Sequence, residues 1–276
     1  MKNKQEINSK MNRIILYRYH NNPDFCIDRL KSIKQYNPHT PVYGMFGGEE
    51  DEYEAYNDIL KDYLDGNYCI RNKSSFWKWK NSDLAYRLWF MDYGKNIQFD
   101  SIVVLEWDLI LFDNIENIYG HINADQIGLT GLTPLSKIEK EWFWTRNPEQ
   151  RKYWLELLEH VEKEFNYNEQ PHGALCPGVC LPRKFLEKYA SIEPLELCHD
   201  ELRIPLYGQA LGFSLVDTGF YKKWFSKKEW KYFNCNNQDI KLKRINKELG
   251  KKKGRRVFHP FREILEPIEF KIYKPK

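Results

Sequence analysis

No run of apolar residues approaches the roughly 18 that a membrane-spanning helix requires. Met1 to Asn12 are polar and hold no apolar stretch of the kind a secretory signal carries. The expected compartment is therefore the cytoplasm, at most the inner face of a membrane. Cysteine is sparse and unpatterned. The six cysteines include no C-x-x-C, and Cys176 and Cys180 have no second nearby pair. That excludes the common zinc modules and leaves reduced, buried thiols as the expectation. No G-x-G-x-x-G occurs, so the dinucleotide-binding fingerprint is missing. Charge of one sign is scarce too: 43 basic against 39 acidic residues give a net +4. A dedicated nucleic-acid binder needs a larger basic excess, and no nucleic-acid partner is expected. No internal repeat and no low-complexity linker divides the chain.

What is present is a core. The 276 residues suffice for one large domain, or a domain with an appendage. Hydrophobic residues make up 42% and aromatics 16%, which excludes disorder for most of the chain. The aromatic load suits stacking on a base or a sugar ring, and equally suits packing.

Arg13 to Tyr19 read as a strand. Asn22-Pro23 then starts a helix, with Cys26, Leu30, Ile33 and Tyr36 at helical spacing, and Asn37-Pro38 ends it. Pro41 to Phe46 form the next strand. This β-α-β unit predicts a parallel sheet with a right-handed crossover. Glu49 to Asp65 are expected as a helix and Asn67 to Ile70 as a short strand. A further helix runs from a Ser82 cap to Gly94. Later expectations are a strand at Gln126–Leu132 and a helix from Asn147-Pro148-Glu149 to Phe165. Cys176–Leu181 should be a strand, Pro182–Tyr189 a helix, and Phe213–Asp217 a strand. Trp142-Phe143-Trp144 is either a substrate-facing loop or a plug in the core.

The stretch Ser101–Asp113, SIVVLEWDLILFD, is chemically the most pointed. Ile102 to Leu105 read as a strand buried on both faces. Unpaired carboxylates inside such a strand cost several kcal/mol, so the strand should end near Leu105. Glu106 and Asp108 then project the same way, being two residues apart on an extended chain. Two hard oxygen donors at the carboxyl end of a parallel strand can hold Mg²⁺ or Mn²⁺ against a substrate phosphate. The alternative is a pair of solvated acids at a strand end. Further on, Asp200-Glu201 form the acidic entry to a helix ending at Gly212, which the helix dipole alone would favour. His259 stands alone in Phe258-His259-Pro260-Phe261.

Taken together, these elements resemble the GT-A fold of nucleotide-sugar glycosyltransferases. The shared order is β-α-β, a helix leading into a strand that ends acid-x-acid, an acidic pair at a helix start, and a late histidine. Glu106-Trp107-Asp108 looks like that superfamily's DxD motif with Glu in first place. Asp200-Glu201-Leu202 looks like its acidic pair, and His259 like its C-terminal histidine.

The resemblance implies an α/β fold: a single GT-A-like, Rossmann-like domain whose mostly parallel central sheet is flanked by helices. The domain would span residues 13–262, with a nucleotide-binding half at 13–113 and an acceptor half at 114–262. Residues 1–12 would be a polar tail and 263–276 a C-terminal extension. The implied function is metal-dependent transfer of a sugar, inverting in stereochemistry, from a nucleotide-diphosphate sugar to a hydroxyl of a glycan or glycolipid. Asp108, Glu106 and His259 are implied as ligands of Mn²⁺ or Mg²⁺. Glu106 could instead hold the ribose.

An inverting transfer needs a base within hydrogen-bond reach of the acceptor hydroxyl. Asp200 and Glu201 are the candidates. They diverge by about 100° on a helix, so one can face the cleft while the other orients, and Asp200 is slightly preferred as the base. For the nucleotide sugar, Tyr19, Asp83, Arg87, Glu106 and Trp107 are candidates by position, with Trp77 and Trp79 available for stacking. Lys251–Arg256 would lie over the diphosphate, stay solvated, or face an anionic membrane.

The chain departs from the family at Tyr19-His20-Asn21-Asn22 and Gly47-Gly48-Glu49, where the family's base-binding loops differ. The donor therefore stays open. Two other classes compete. A nucleotidyltransferase would want a glycine-rich basic loop after the first strand, where Tyr17-Arg18-Tyr19-His20-Asn21 stands. A non-catalytic carbohydrate-binding domain could keep the same fold.

Overall fold

The computed structural model describes residues 11–20, 22–265 and 270. Most of the 1–12 tail and of the 263–276 extension therefore lies outside the described residues. The first β-α-β unit is β1 (Arg13–Tyr19), α1 (Pro23–Tyr36) and β2 (Val42–Phe46). Asn22 caps α1 by accepting from the Asp24 amide, and Pro23 occupies the first turn. Next come α2 (Tyr53–Leu60), β3 (Gly66–Cys69), α3 (Ser75–Lys80), α4 (Ser82–Asp92), β4 (Ser101–Glu106), β5 (Ile110–Leu111) and α5 (Ile115–Tyr119). The second half holds β6 (Gln126–Pro134), α6 (Phe143–Arg146), α7 (Pro148–Phe165), β7 (His172–Pro182), α8 (Arg183–Ala190), α9 (Asp200–Ala210), β8 (Ser214–Asp217), α10 (Leu242–Leu249) and β9 (Val257–Phe258).

Seven strands form the main sheet in the order β3-β2-β1-β4-β7-β6-β8. The pairings β1–β2, β1–β4, β2–β3 and β6–β8 are parallel; only β7 runs antiparallel to its two neighbours. This is the α/β architecture with a mostly parallel sheet expected from the sequence. The order of elements behind the resemblance is kept as well.

The centre of the sheet explains its composition. Ile15, Leu16, Tyr17 and Ile102 to Leu105 are all fully buried. Alternate residues feed two cores. Ile14, Leu16, Ile102 and Val104 face α4, α8 and α9, where Trp89, Phe185 and Leu202 pack. Ile15, Tyr17, Val103 and Leu105 face α1, with Cys26, Leu30 and Ile33. Each such aliphatic side chain contributes about 1.5–3 kcal/mol on burial.

Three local expectations are corrected, and one apolar run left unassigned finds its place. The helix over Glu49–Asp65 is a 3₁₀ turn at Glu50–Glu52 followed by the shorter α2, because Asp65 turns back to accept the Val42 amide at 2.8 Å. Ser82 does not cap α4. A separate helix, α3, precedes it and is capped by Ser74, which accepts from the Trp77 amide. β7 is longer than Cys176–Leu181 because it spans the gap between β4 and β6. The second apolar run after Asp108 leaves the main sheet. There β5 pairs antiparallel with β9, Ile110 opposite Phe258. That small sheet draws the late chain back to the end of β4, where the Phe261 amide donates to the Asp108 carbonyl at 2.8 Å. No helix among the described residues is long and apolar enough to cross a membrane.

Candidate active site

A cavity of about 990 Å³ opens at the carboxyl ends of β1, β2 and β4, where open α/β sheets bind their ligands. One side is built by Glu106, Trp107 and Asp108 after β4, Arg18 and His20 at the end of β1, and His259 and Arg262 after β9. The other side is built by α3, the Trp142–Trp144 turn at α6 and the first turn of α9.

Asp108 is 6% exposed. Its Oδ1 lies 3.3 Å from His259 Nε2, and its Oδ2 lies 3.1 Å from the Arg262 guanidinium. Burial alone would raise its pKa, but His259 and then Arg262 outweigh burial and hold the carboxyl below its ordinary range. His259 Nδ1 is 2.7 Å from the Asn234 carbonyl and donates to it. Burial works against a charge on His259, yet Asp108 prevails and raises its pKa. Glu106 behaves differently. Burial pushes it up to about 7, with Arg18 and His259 only partly opposing. Its Oε2 accepts weakly from the Gly178 amide at 3.3 Å. Trp107 is held edge-on by His20 and Phe25 at 5.4 Å each, with the Arg262 guanidinium 5.8 Å from its ring centre.

Asp108 and His259 bear on the metal that the resemblance implies. With Nδ1–H given to Asn234, Nε2 faces a carboxylate oxygen across 3.3 Å, and the raised His259 pKa places a proton between them that an ion would displace. Two lone-pair donors at that separation call for a proton or a cation between them, and an imidazole whose other nitrogen is fixed by a carbonyl is the usual form of a metal-binding histidine. The pair therefore fits a divalent ion. Among the described residues no group of three or more His, Cys, Asp or Glu is set to hold a metal. The remaining positions would fall to a substrate phosphate and water, which is normal for Mg²⁺ and tolerable for Mn²⁺.

At the other side, His199 is the N-cap of α9, and Asp200 and Glu201 form its first turn. Asp200 is 1% exposed. The Ser82 hydroxyl donates to one of its oxygens, and His199 Nδ1 lies 2.7 Å from the other. The same nitrogen accepts from the Glu201 amide at 3.4 Å, so the contact with Asp200 is electrostatic and leaves that carboxylate oxygen without a hydrogen bond among the described residues. Burial raises Asp200, but His199 overrides it and lowers the pKa. Glu201 accepts from the Trp144 indole at 2.8 Å, and burial lifts it to about 7 against the opposing pull of His199. The two acids of the expected base pair thus differ: Asp200 is held low beside His199, and Glu201 is pushed up to about 7.

Glu106, Trp107, Asp108, Asp200, Glu201, His259 and Trp79 all line the cavity; Tyr19, Asp83, Arg87 and Trp77 do not. Tyr19 is fully buried, stacks on Tyr17 at 5.6 Å and donates its hydroxyl to Asn67 on the far side of β1. Asp83 is locked to Arg203 and Tyr189. Arg87 donates to the carbonyls of Tyr189, Ala190 and Ile192. The Trp77 indole donates to Glu196. Lys251–Arg256 does not cover the cavity either: Arg255 binds Glu229 and the Phe220 carbonyl, and Arg256 binds backbone carbonyls.

Three lining residues were missed. Arg18 pairs with Glu106 in the β1–β4 register, which the strand alignment itself could have shown. His199 precedes the acidic pair as its cap. Arg262, three residues after His259, gives no local signal.

No protein-family model matches the chain, and no curated protein matches it in sequence. Solved structures that resemble it include the galactosyltransferase LgtC in complex with donor and acceptor sugar analogues (11% identity over 74% of this chain and 72% of that chain, TM-score 0.40). A cytidylyltransferase from Leptospira borgpetersenii also matches (14% identity, 78% and 77% covered, TM-score 0.40). So does the mannosyltransferase PcManGT from Pyrobaculum calidifontis with GDP-Man and Mn²⁺ (10% identity, 76% and 55% covered, TM-score 0.42). These likenesses are too distant to carry an argument, and function has to be read from the cavity itself.

Proposed function

We propose that the chain is a glycosyltransferase that moves a sugar from a nucleotide-diphosphate sugar to a hydroxyl of a glycan or glycolipid, with inversion at the transferred carbon. One observation carries this reading. Two acidic pairs, with Asp108, Asp200 and Glu201 buried and Glu106 partly so, face one cavity at the sheet's carboxyl edge, one surrounded by cationic groups and the other by aromatic rings. Sugar transfer from such a donor needs both: charge neutralisation at the departing diphosphate and a base at the attacking hydroxyl.

Asp108 and His259, with Glu106 beside them, would hold Mn²⁺ or Mg²⁺. Bound there, the ion supplies Lewis-acid neutralisation of the diphosphate oxygens. Arg18 and Arg262 place further positive charge on the same side. Glu201, whose pKa is near 7, takes the proton from the acceptor hydroxyl. His199 and Asp200 fix the first turn of α9 on which Glu201 sits. The aromatic wall limits water at the reacting carbon. For a lipid-linked acceptor, the exposed Lys252 and Lys253 would face an anionic membrane surface, while Lys251 is paired with Glu248.

A thermal-shift panel of nucleotide sugars with and without Mn²⁺ tests the reading, since a ligand bound only by the folded state raises its melting temperature. At least one nucleotide sugar should stabilise the protein in the presence of Mn²⁺ only. A shift given by a nucleoside triphosphate and by no nucleotide sugar would point to nucleotidyl transfer and overturn it. A shift given only by free oligosaccharides would make this a carbohydrate-binding domain.

A further inference from the structure

Five rings run in unbroken contact along one wall of the cavity. Phe76 meets Trp79 at 5.7 Å, and Trp79 meets His199 edge-on at 5.3 Å. His199 stacks flat on Trp144 at 4.2 Å, and Trp144 meets Phe143 at 5.0 Å. The rings come from α3, from the cap of α9 and from the turn at α6. Phe76, Trp79 and Phe143 are 66%, 52% and 50% exposed, which makes them three of the most exposed large apolar side chains described. Packing does not account for rings left half in water around a cavity.

A polar vacancy sits in the middle of this wall. His199 is 6% exposed, and its Nε2 is buried without a hydrogen-bond partner among the described residues. Nδ1 takes the Glu201 amide, and Asp200 beside the ring favours its protonated form, so Nε2 carries a hydrogen and is a donor. Leaving such a group unmet is costly, and a ligand hydroxyl oxygen would satisfy it. The charged groups on this wall are the carboxylates Asp200 and Glu201. Of the two arginines in the lining, Arg262 is bound to Asp108, and Arg18 donates to the Lys78 carbonyl.

We propose that this wall is a subsite for an uncharged pyranose ring, the acceptor of the transfer. The apolar C–H face of the sugar lies on Trp79, and a hydroxyl oxygen accepts from His199 Nε2 with Glu201 close by. The positively polarised C–H groups of a pyranose suit the negative face of an indole. Two carboxylates against the single imidazole of His199 disfavour a uronate or a sugar phosphate. This inference rests on the glycosyltransferase reading and adds the chemical class of acceptor to it.

The test is saturation-transfer NMR on the full chain, with aromatic protons irradiated, using methyl glucoside, methyl galactoside and lactose as probes and glucuronate as the charged counterpart. A neutral probe should receive saturation at its ring C–H protons, and glucuronate should bind more weakly. Trp79→Ala should weaken the neutral probe ~10-fold, while Trp79→Phe retains most of the binding. Leu155→Ala, which removes a half-exposed side chain on α7 away from the cavity, should leave it unchanged. Melting curves of each variant show that the fold persists. Glucuronate binding as tightly as the neutral probes, or Trp79→Ala binding like wild type, overturns the subsite. If no neutral probe binds while a nucleotide sugar gives its Mn²⁺-dependent shift, the subsite fails and the glycosyltransferase reading stands. If neither binds, both fail.

Discussion

The two sides of the cavity are alike in their acids and opposite in everything else. Each holds a pair of carboxyl groups, and in each pair one member is held low by neighbours while desolvation lifts the other to about 7. At the end of β4, the companions are His259, Arg262 and Arg18; at the start of α9, they are Trp144, Trp79 and a histidine turned toward Asp200. The same residue type thus serves two chemistries, and the difference lies in what surrounds it. Cations beside a carboxylate prepare a place for phosphate and metal. Aromatic rings beside a carboxylate offer a flat apolar surface, half open to solvent, and burial of Glu201 among them pushes it up to about 7.

The largest effect should come from the cationic side. Asp108→Asn removes the oxygen charge that His259 and Arg262 share. Turnover with any nucleotide sugar should fall by at least ~10³-fold, as expected when a preorganised electrostatic group at developing charge is lost. The Mn²⁺-dependent thermal shift should vanish with it. A variant that keeps wild-type turnover would erase the proposed difference between the two sides.

The aromatic side should show a smaller but more diagnostic loss. Glu201→Gln should cut turnover by about 10²–10⁴-fold with donor binding preserved, the usual share of a general base. A base must be ionised to act, so the wild-type rate should rise with pH through about 7, and the variant should lose that rise. Stability runs the other way. The folded protein keeps the Glu201 proton at pH values where the unfolded chain has released it, so Glu201 withdraws stability as pH climbs from the ordinary carboxylate range to about 7. Asp200→Asn should cost less in rate than Glu201→Gln. The reverse order would make Asp200 the base.

How much of this was legible in the sequence depends on the kind of interaction. Ile102 to Leu105 announced a central strand because burial on both faces leaves a continuous apolar run. Glu106 and Asp108 stood out because charges interrupt it. Asp200-Glu201 was visible as a helix entry. What could not be read was rotation about an element and contact between distant elements. Tyr19 and Arg18 are neighbours on β1, yet Tyr19 turns to Asn67 while Arg18 lines the cavity. Trp142 and Phe143 are adjacent, and the two readings of that segment divide between them: Trp142 is 6% exposed against Trp224, and Phe143 is 50% exposed at the cavity. Arg255 looked like part of a basic surface run until Glu229 captured it. No local pattern encodes such a partner.

The least effect on activity should come from a residue that the sequence assigned to the donor and the structure assigns to the scaffold. Asp83 makes a two-pronged contact with Arg203, at 2.6 and 2.9 Å, and accepts the Tyr189 hydroxyl at 2.6 Å. Arg203 has no exposed surface, so Asp83→Asn strands a buried cation. Breaking one partner of such a pair costs about 3–5 kcal/mol. For a domain of this size that is on the order of 10 °C in melting temperature. Measured well below that melting point, the KM for donor should stay within about twofold, because Asp83 lies outside the cavity lining. A large rise in donor KM without loss of stability would return Asp83 to the ribose. It would also show that the donor reaches beyond the cationic side, which would blur the division between the two walls.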